Sequence, residues 1–181
     1  MTERTDTVRV WDPLVRLFHW ALVAAFAAAW ATGEEAMGLH QILGYGIVGL
    51  VGARLVWGAV GPRHARFETF VRAPGAVVAY LGDLVQGRAR RYLGHNPAGA
   101  AMIVALLVGL LTVAGTGWAM TLPGLGGEAV EEVHEVAASL MLVLVAGHVL
   151  GVVASSLAHR ENLVRAMITG RKRRGEAVDA G

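Results

Sequence analysis

Four stretches of this chain are too long and too apolar to belong inside a water-soluble domain. They run from about Leu14 to Thr32, Leu39 to Val60, Ala98 to Met120 and Val133 to Leu157, and a helix needs roughly 20 residues to cross a bilayer. The third carries no charged residue and the second only Arg54. Hydrocarbon offers no partner to an unpaired backbone amide, so such segments must be helical. Glycines inside the second and third would weaken soluble helices but are normal between packed membrane helices. The expected fold is therefore all-α: an integral membrane four-helix bundle, up-down-up-down, spanning residues 1–170, with a loop over 61–97 and a mobile polar tail at 171–181. With 55% hydrophobic and 17% charged residues, the composition excludes a disordered chain and a nucleic-acid partner.

The first span resembles a secretory signal in one respect, since Ala27, Ala29 and Ala31 mimic a cleavage site. Glu3, Asp6 and Asp12 precede it, and His19 lies inside it, so it is expected to be a retained span. Within the central loop, Pro74 to Gly87 places apolar residues at Val77, Val78, Tyr80, Leu81, Leu84 and Val85. That spacing predicts a short amphipathic helix on the membrane surface.

Charge sets the expected orientation. With the N-terminus in the cytoplasm, the outer loops near 33–38 and 121–132 hold Glu34, Glu35, Glu128, Glu131 and Glu132 and no lysine or arginine. All 16 basic residues then fall on the inner side, as the positive-inside rule requires. Both termini are expected on the cytoplasmic side, with the basic residues attracted to anionic lipid.

Ionisable side chains inside a span are costly and therefore functional candidates. Of seven histidines, His64, His95 and His159 lie in loops or at a helix edge, where histidine needs no special role. His19, His40, His134 and His148 lie in or at the ends of the spans. His134 and His148 are 14 residues apart. On a helix they point within about 40° of one another and stand about 21 Å apart along the axis. Matching depths on alternating helices gives two cross-helix pairs: His19 with His148 on the inner side, and His40 with His134 on the outer side.

Paired imidazoles from separate helices suit the two axial positions of a haem held in a bundle. A small divalent metal would want a third or fourth ligand. A haem-free transporter or proton channel using the same histidines is the alternative, though a relay would more naturally string acids between them. The chain has no cysteine, so any haem would be non-covalent b-type. Arg54, 14 residues after His40, shares its face. It serves either as a snorkelling cation or as a counter-charge for the propionates of the inner haem. Gly44, Ala137 and Ala138 would let a ring approach the backbone, or simply allow close helix packing. Trp11, Trp20, Trp30, Trp57 and Trp118 suit an interfacial aromatic belt, with Trp20 singled out by following His19. No nucleotide-binding glycine loop or hydrolytic constellation is visible, so no catalytic residue is assigned.

The run Val10-Trp11-Asp12-Pro13 through Arg16-Leu17-Phe18-His19-Trp20 resembles the start of the bacterial cytochrome b561 and nickel–iron hydrogenase b-type cytochrome family. So do Leu39-His40-Gln41-Ile42-Leu43-Gly44-Tyr45, Arg54-Leu55-Val56-Trp57-Gly58, and Tyr92-Leu93-Gly94-His95-Asn96-Pro97. The segment from Val133-His134-Glu135 to His148, and that from Glu161-Asn162-Leu163-Val164 to Thr169-Gly170-Arg171-Lys172, continue the likeness. The resemblance implies a membrane core with two haem b groups, ligated by His19, His40, His134 and His148, in electron transport of a respiratory chain. It implies exchange with quinone or with a partner redox protein such as a cytochrome or dehydrogenase. The alternative role is a membrane anchor subunit of a larger oxidoreductase such as a hydrogenase. Hydrogenase-linked members are generally longer, with a further membrane helix, so a stand-alone or differently partnered cytochrome is expected. Oligomeric state, electron donor and acceptor are not legible.

Overall fold

The computed structural model describes residues 6–33, 35–175 and 177. In chain order it forms β1 (Thr7–Arg9), α1 (Pro13–Thr32), α2 (Met37–Val60), a 3-10 turn (Arg63–Ala65), α3 (Phe67–Phe70), α4 (Pro74–Val85), α5 (Pro97–Met120), α6 (Glu128–Ala158), α7 (Leu163–Thr169) and β2 (Arg171–Arg173). Helices α1, α2, α5 and α6 coincide with the four expected spans and are long and apolar enough to cross a membrane. The largest extension is at α6, which starts at Glu128 rather than Val133. Glu128 and Glu131 occupy its first turn, where carboxylates are favoured by the exposed amides and the helix dipole. Glu34 lies outside the described residues.

Polar caps fix several helix starts. Asp12 Oδ1 accepts from the amides of Leu14 at 2.9 Å and Val15 at 3.1 Å, and Pro13 follows as the first helical residue. Asn96 Oδ1 accepts from Gly99 at 2.7 Å ahead of Pro97, and Asn162 Oδ1 from Arg165 at 2.7 Å. Each satisfies an amide that the helix itself leaves unpaired. Along the long helices the large apolar side chains face outward, with Ile42, Leu150 and Leu157 all more than two-thirds exposed. Such faces suit lipid and would associate in water.

The chain divides into two compact units. One comprises Leu17–Val56 and Val104–Ala146. Its buried residues are Ala29 of α1, Ile47, Val51 and Arg54 of α2, Leu107 and Leu110 of α5, and Met141 of α6. On α2 these extend a single stripe, His40, Gly44, Ile47, Val51 and Arg54, at the spacing of one helix face. Met141 of α6 fills the space that a side chain on Gly109 of α5 would need. A small residue there lets two helices approach closely.

The other unit gathers the chain up to Arg16, Trp57–Ile103, and the chain from Gly147. Here β1 and β2 pair antiparallel, Val8 opposite Lys172. The Gly170 carbonyl accepts from the amides of Val10 at 2.8 Å and Trp11 at 3.2 Å. Gly170 ends α7 with φ +77°, a left-handed conformation that glycine adopts without strain. Val10, Trp11 and Ala166 form a small core with Val8, Leu93 and Met167. Trp11 is only 7% exposed, so it belongs to this core and not to an interfacial belt. Trp20, Trp30 and Trp118 are exposed, as a belt requires.

The first residues of the expected mobile tail are likewise ordered. Lys172 is buried and donates to the carbonyls of Tyr92 at 2.9 Å and Leu93 at 3.0 Å. Glu161, also buried, receives Arg91 Nη2 at 2.8 Å and Nε at 3.2 Å, and the Arg173 amide at 3.1 Å. Its carboxylate stands 3.8 Å from Lys172 Nζ. One acid thus ties the central loop, the end of α6 and the C-terminal strand. Composition alone suggests mobility; a buried carboxylate with several donors supplies the order. The last residues, 178–181, lie outside the described part.

Titration of this cluster gives signed expectations. Burial raises the Glu161 carboxyl, but hydrogen bonds from Arg91 and the charge of Lys172 outweigh it and hold it below the usual value. Its contribution to stability is present above the ordinary carboxylate range and lost as pH falls through the lower folded value. Burial, then the charges of Arg91 and Lys172, lower the His159 imidazole, so acidification below its ordinary 6.5 also weakens the fold. Burial pushes Lys172 down to about 8. The cost of its buried charge is full below that pH and is relieved between about 8 and 10.5. Amide-exchange protection at Val8 and Arg173, taken relative to the intrinsic exchange rate at each pH, should fall on acidification and rise towards mildly alkaline pH. Glu161→Gln should cost about 3 kcal/mol by leaving buried Lys172 and half-buried Arg91 without their counter-charge; unchanged exchange protection in this variant would show that the network does not hold the strands.

Candidate functional site

Within the α1–α2–α5–α6 unit, the expected outer pair comes together. The His40 and His134 rings lie 6.1 Å apart between centroids, with planes at 76°. Each is oriented by a helix carbonyl: His40 Nδ1 is 2.8 Å from Ala29 O, and His134 Nδ1 is 2.9 Å from Val113 O. A carbonyl oxygen can only accept, so both Nδ1 atoms donate, and a neutral imidazole held this way leaves its Nε2 lone pair free. This is the tautomer a metal-ligating histidine requires, held by the kind of outer partner such ligands use. Thr116 Oγ1 adds a third contact, 3.1 Å from His134 Nδ1, and donates to Thr112 O at 2.8 Å.

The spacing tests the fit to haem. A first-row metal–imidazole bond is about 2 Å long, so two rings on opposite sides of one ion have centroids about 6 Å apart. The observed separation meets that. Among the described residues no cluster of three or more histidines or carboxylates could hold a bare metal ion. At Gly44, one turn below His40, nothing beyond the local backbone lies within 4 Å of an added Cβ. Ala137 and Ala138 are partly buried on α6. The donor set and the small residues beside it fit a haem that His40 and His134 would hold between them.

The other expected residues are distributed as follows. Arg54 is 5% exposed and sits on the stripe that starts at His40, so its guanidinium is kept within the protein and does not snorkel outward. His19 lies in the second turn of α1, with its ring 5.0 Å from that of Trp20 at 88°. His148 lies on α6 in a series with His134, Met141 and Ser155 at seven-residue intervals. His19 belongs to the unit just described and His148 to the other. Among the loop histidines, His95 packs between Trp11 and Phe70, each 4.5 Å away between centroids.

The sequence profile of the family described as prokaryotic cytochrome b561 matches residues 10–170. The chain belongs to the prokaryotic cytochrome b561 family. It is therefore a multi-pass membrane protein and a b-type cytochrome that carries electrons on haem b, which weighs against haem-free transport. It is similar to a probable Ni/Fe-hydrogenase B-type cytochrome subunit of Azotobacter vinelandii, 26% identical over 92% of this chain and 89% of the relative. A protein of the same description from Rhodobacter capsulatus is 23% identical over 93% of this chain and 82% of its own length. No solved structure gives a significant match.

Sequence reasoning missed the groups that orient the rings. Ala29 and Val113 act through backbone carbonyls, which no side-chain pattern reveals. Thr116-Gly117 is visible as a pair but has no distinguishing spacing. An added Cβ at Gly117 would stand 3.0 Å from His134 Cε1 and 3.3 Å from Nδ1, tighter than the ring can accept without moving. In the haem-loaded b561 protein, Gly117→Ala should weaken haem retention roughly tenfold. Transfer of haem to an excess of apomyoglobin measures this, and an unchanged transfer rate would show that α5 does not position the ring.

Proposed function

We propose that this cytochrome b561 protein holds two haem b groups in a four-helix bundle of alternating spans, with both termini in the cytoplasm of a bacterial inner membrane. The observation that carries this reading is the facing pair His40 and His134, each with Nδ1 tied to a carbonyl and Nε2 left to ligate. His40 and His134 hold the outer haem. His19 and His148 hold the inner one, on the strength of their depth and helix phase. Arg54 offsets propionate charge at the inner level of α2, which its burial supports.

Haem b supplies reversible one-electron transfer when bound. The chain's own residues would orient the His40 and His134 rings through Nδ1, present apolar helix faces to lipid, and hold a compensating cation within the protein. The exchange partner is quinone at one surface or a redox protein. The shared description of the two relatives favours, as a second reading, service as the membrane subunit of a hydrogenase-type oxidoreductase.

Haem content and reduced-minus-oxidised spectra of the purified protein test the main reading. Wild type should contain two haem b per chain. His40→Ala and His134→Ala should each lose the same single haem and keep the other. His19→Ala and His148→Ala should lose the complementary one. One haem in the wild type, or loss of different haems from His40→Ala and His134→Ala, would overturn the pairing. Copurification with a large hydrogen-oxidising subunit would select the second reading.

A further inference from the structure

Helix α4 has three faces, and only two are explained by the protein. Tyr80 is 5% exposed, packs on Tyr92 with ring centroids 5.9 Å apart, and shares the inward face with Val77 and Leu84, both partly buried. Asp83 and Ala76 lie seven residues apart on a second face, where Asp83 pairs with Arg88 at 3.7 Å. The third face carries Val78, Leu81 and Val85, exposed by 70%, 46% and 89%. At 100° per residue these three fall within about 60° of one another, while Ala76 and Asp83 are turned at least about 140° from each of them.

Basic residues bracket the apolar stripe. Arg72 precedes the helix, and Arg88 and Arg90 follow it, all three exposed. An exposed apolar stripe of this kind in a membrane protein, flanked by cations at both ends, matches a bilayer interface made of acyl chains below and anionic headgroups above. We infer that α4 docks by its Val78–Leu81–Val85 stripe into the lipid interface, with Arg72, Arg88 and Arg90 contacting anionic headgroups. The occupant is phosphatidylglycerol-type lipid, chosen by charge complementarity. Tyr80 then holds the other side of the helix to the protein, so α4 is clamped between protein and lipid. This inference is independent of haem number and ligand assignment.

The chain has no cysteine, so a single introduced thiol is unique. Val78→Cys, Leu81→Cys, Val85→Cys and Ala76→Cys proteins carrying a bimane label would be reconstituted with haem in nanodiscs. The discs would contain phosphatidylcholine alone or an equal mixture with phosphatidylglycerol. Labels at positions 78, 81 and 85 should be quenched by shallow nitroxide lipid and shielded from aqueous iodide, with the opposite pattern at position 76. Phosphatidylglycerol should strengthen the lipid quenching at position 78. Replacing Arg72, Arg88 and Arg90 by glutamine should abolish that response, each arginine changing the docked-to-undocked ratio about fivefold. The visible haem spectrum of every variant checks that it is folded. Equal quenching on both faces would overturn the inference, as would shielding of position 78 from lipid nitroxide and iodide alike, which would mean a protein covers the stripe. Persistence of the phosphatidylglycerol response in the triple variant would overturn the role of the arginines.

Discussion

An imidazole can serve a metal only if its hydrogen is on the other nitrogen, and in a low-dielectric interior that choice must be enforced by structure. Helix carbonyls enforce it here. Each has a second lone pair after its helical bond, and Ala29 O and Val113 O spend theirs on His40 and His134. Much of the α1–α2–α5–α6 unit follows from this demand. Helix α1 must bring a carbonyl to His40, α5 must bring one to His134, and glycine must occupy position 117 to leave room for the ring. The same backbone that satisfies itself as a helix also orients the rings, with Thr116 the one side chain added at His134.

Much of this was legible in the sequence because the governing signals are strong and local. A bilayer demands a minimum length of apolar helix, and each of the four runs meets it. Helical phase relates His40 to Arg54, and His134 to His148, without knowledge of any tertiary contact. Arg54 illustrates the limit of phase. Its position on the histidine face could be read, but two fates remained open until its burial distinguished a cation held within the protein from one reaching outward. His40 and His134 could be matched by depth, but their separation depends on how the helices approach, which Met141 and Gly109 help to decide.

The membrane-peripheral part was hardly legible. Strands β1 and β2 contain three residues each, too few for a periodic signal, and they exist only because distant segments meet. Lys172 and Arg173 look in sequence like part of a basic tail; Glu161, the buried acid that orders them, is separated from Arg91 by 70 residues. Trp11 misled for a related reason. Its place before a span suits an interfacial belt, and only the contacts with Ala166 and His95 reveal it as core. Where a signal depends on long-range pairing of short segments, composition points the wrong way.

The ribbon of β1 and β2 also imposes an order on biosynthesis. Arg171 and Thr7, joined by a hydrogen bond, are 164 residues apart. Such a contact carries a larger loop-closure cost than any local pairing. Strand β1 emerges from the ribosome first and waits without a partner while all four spans are synthesised. The ribbon can close only after β2 has been released: a product truncated before residue 171 would insert its helices yet leave strand β1 unmated.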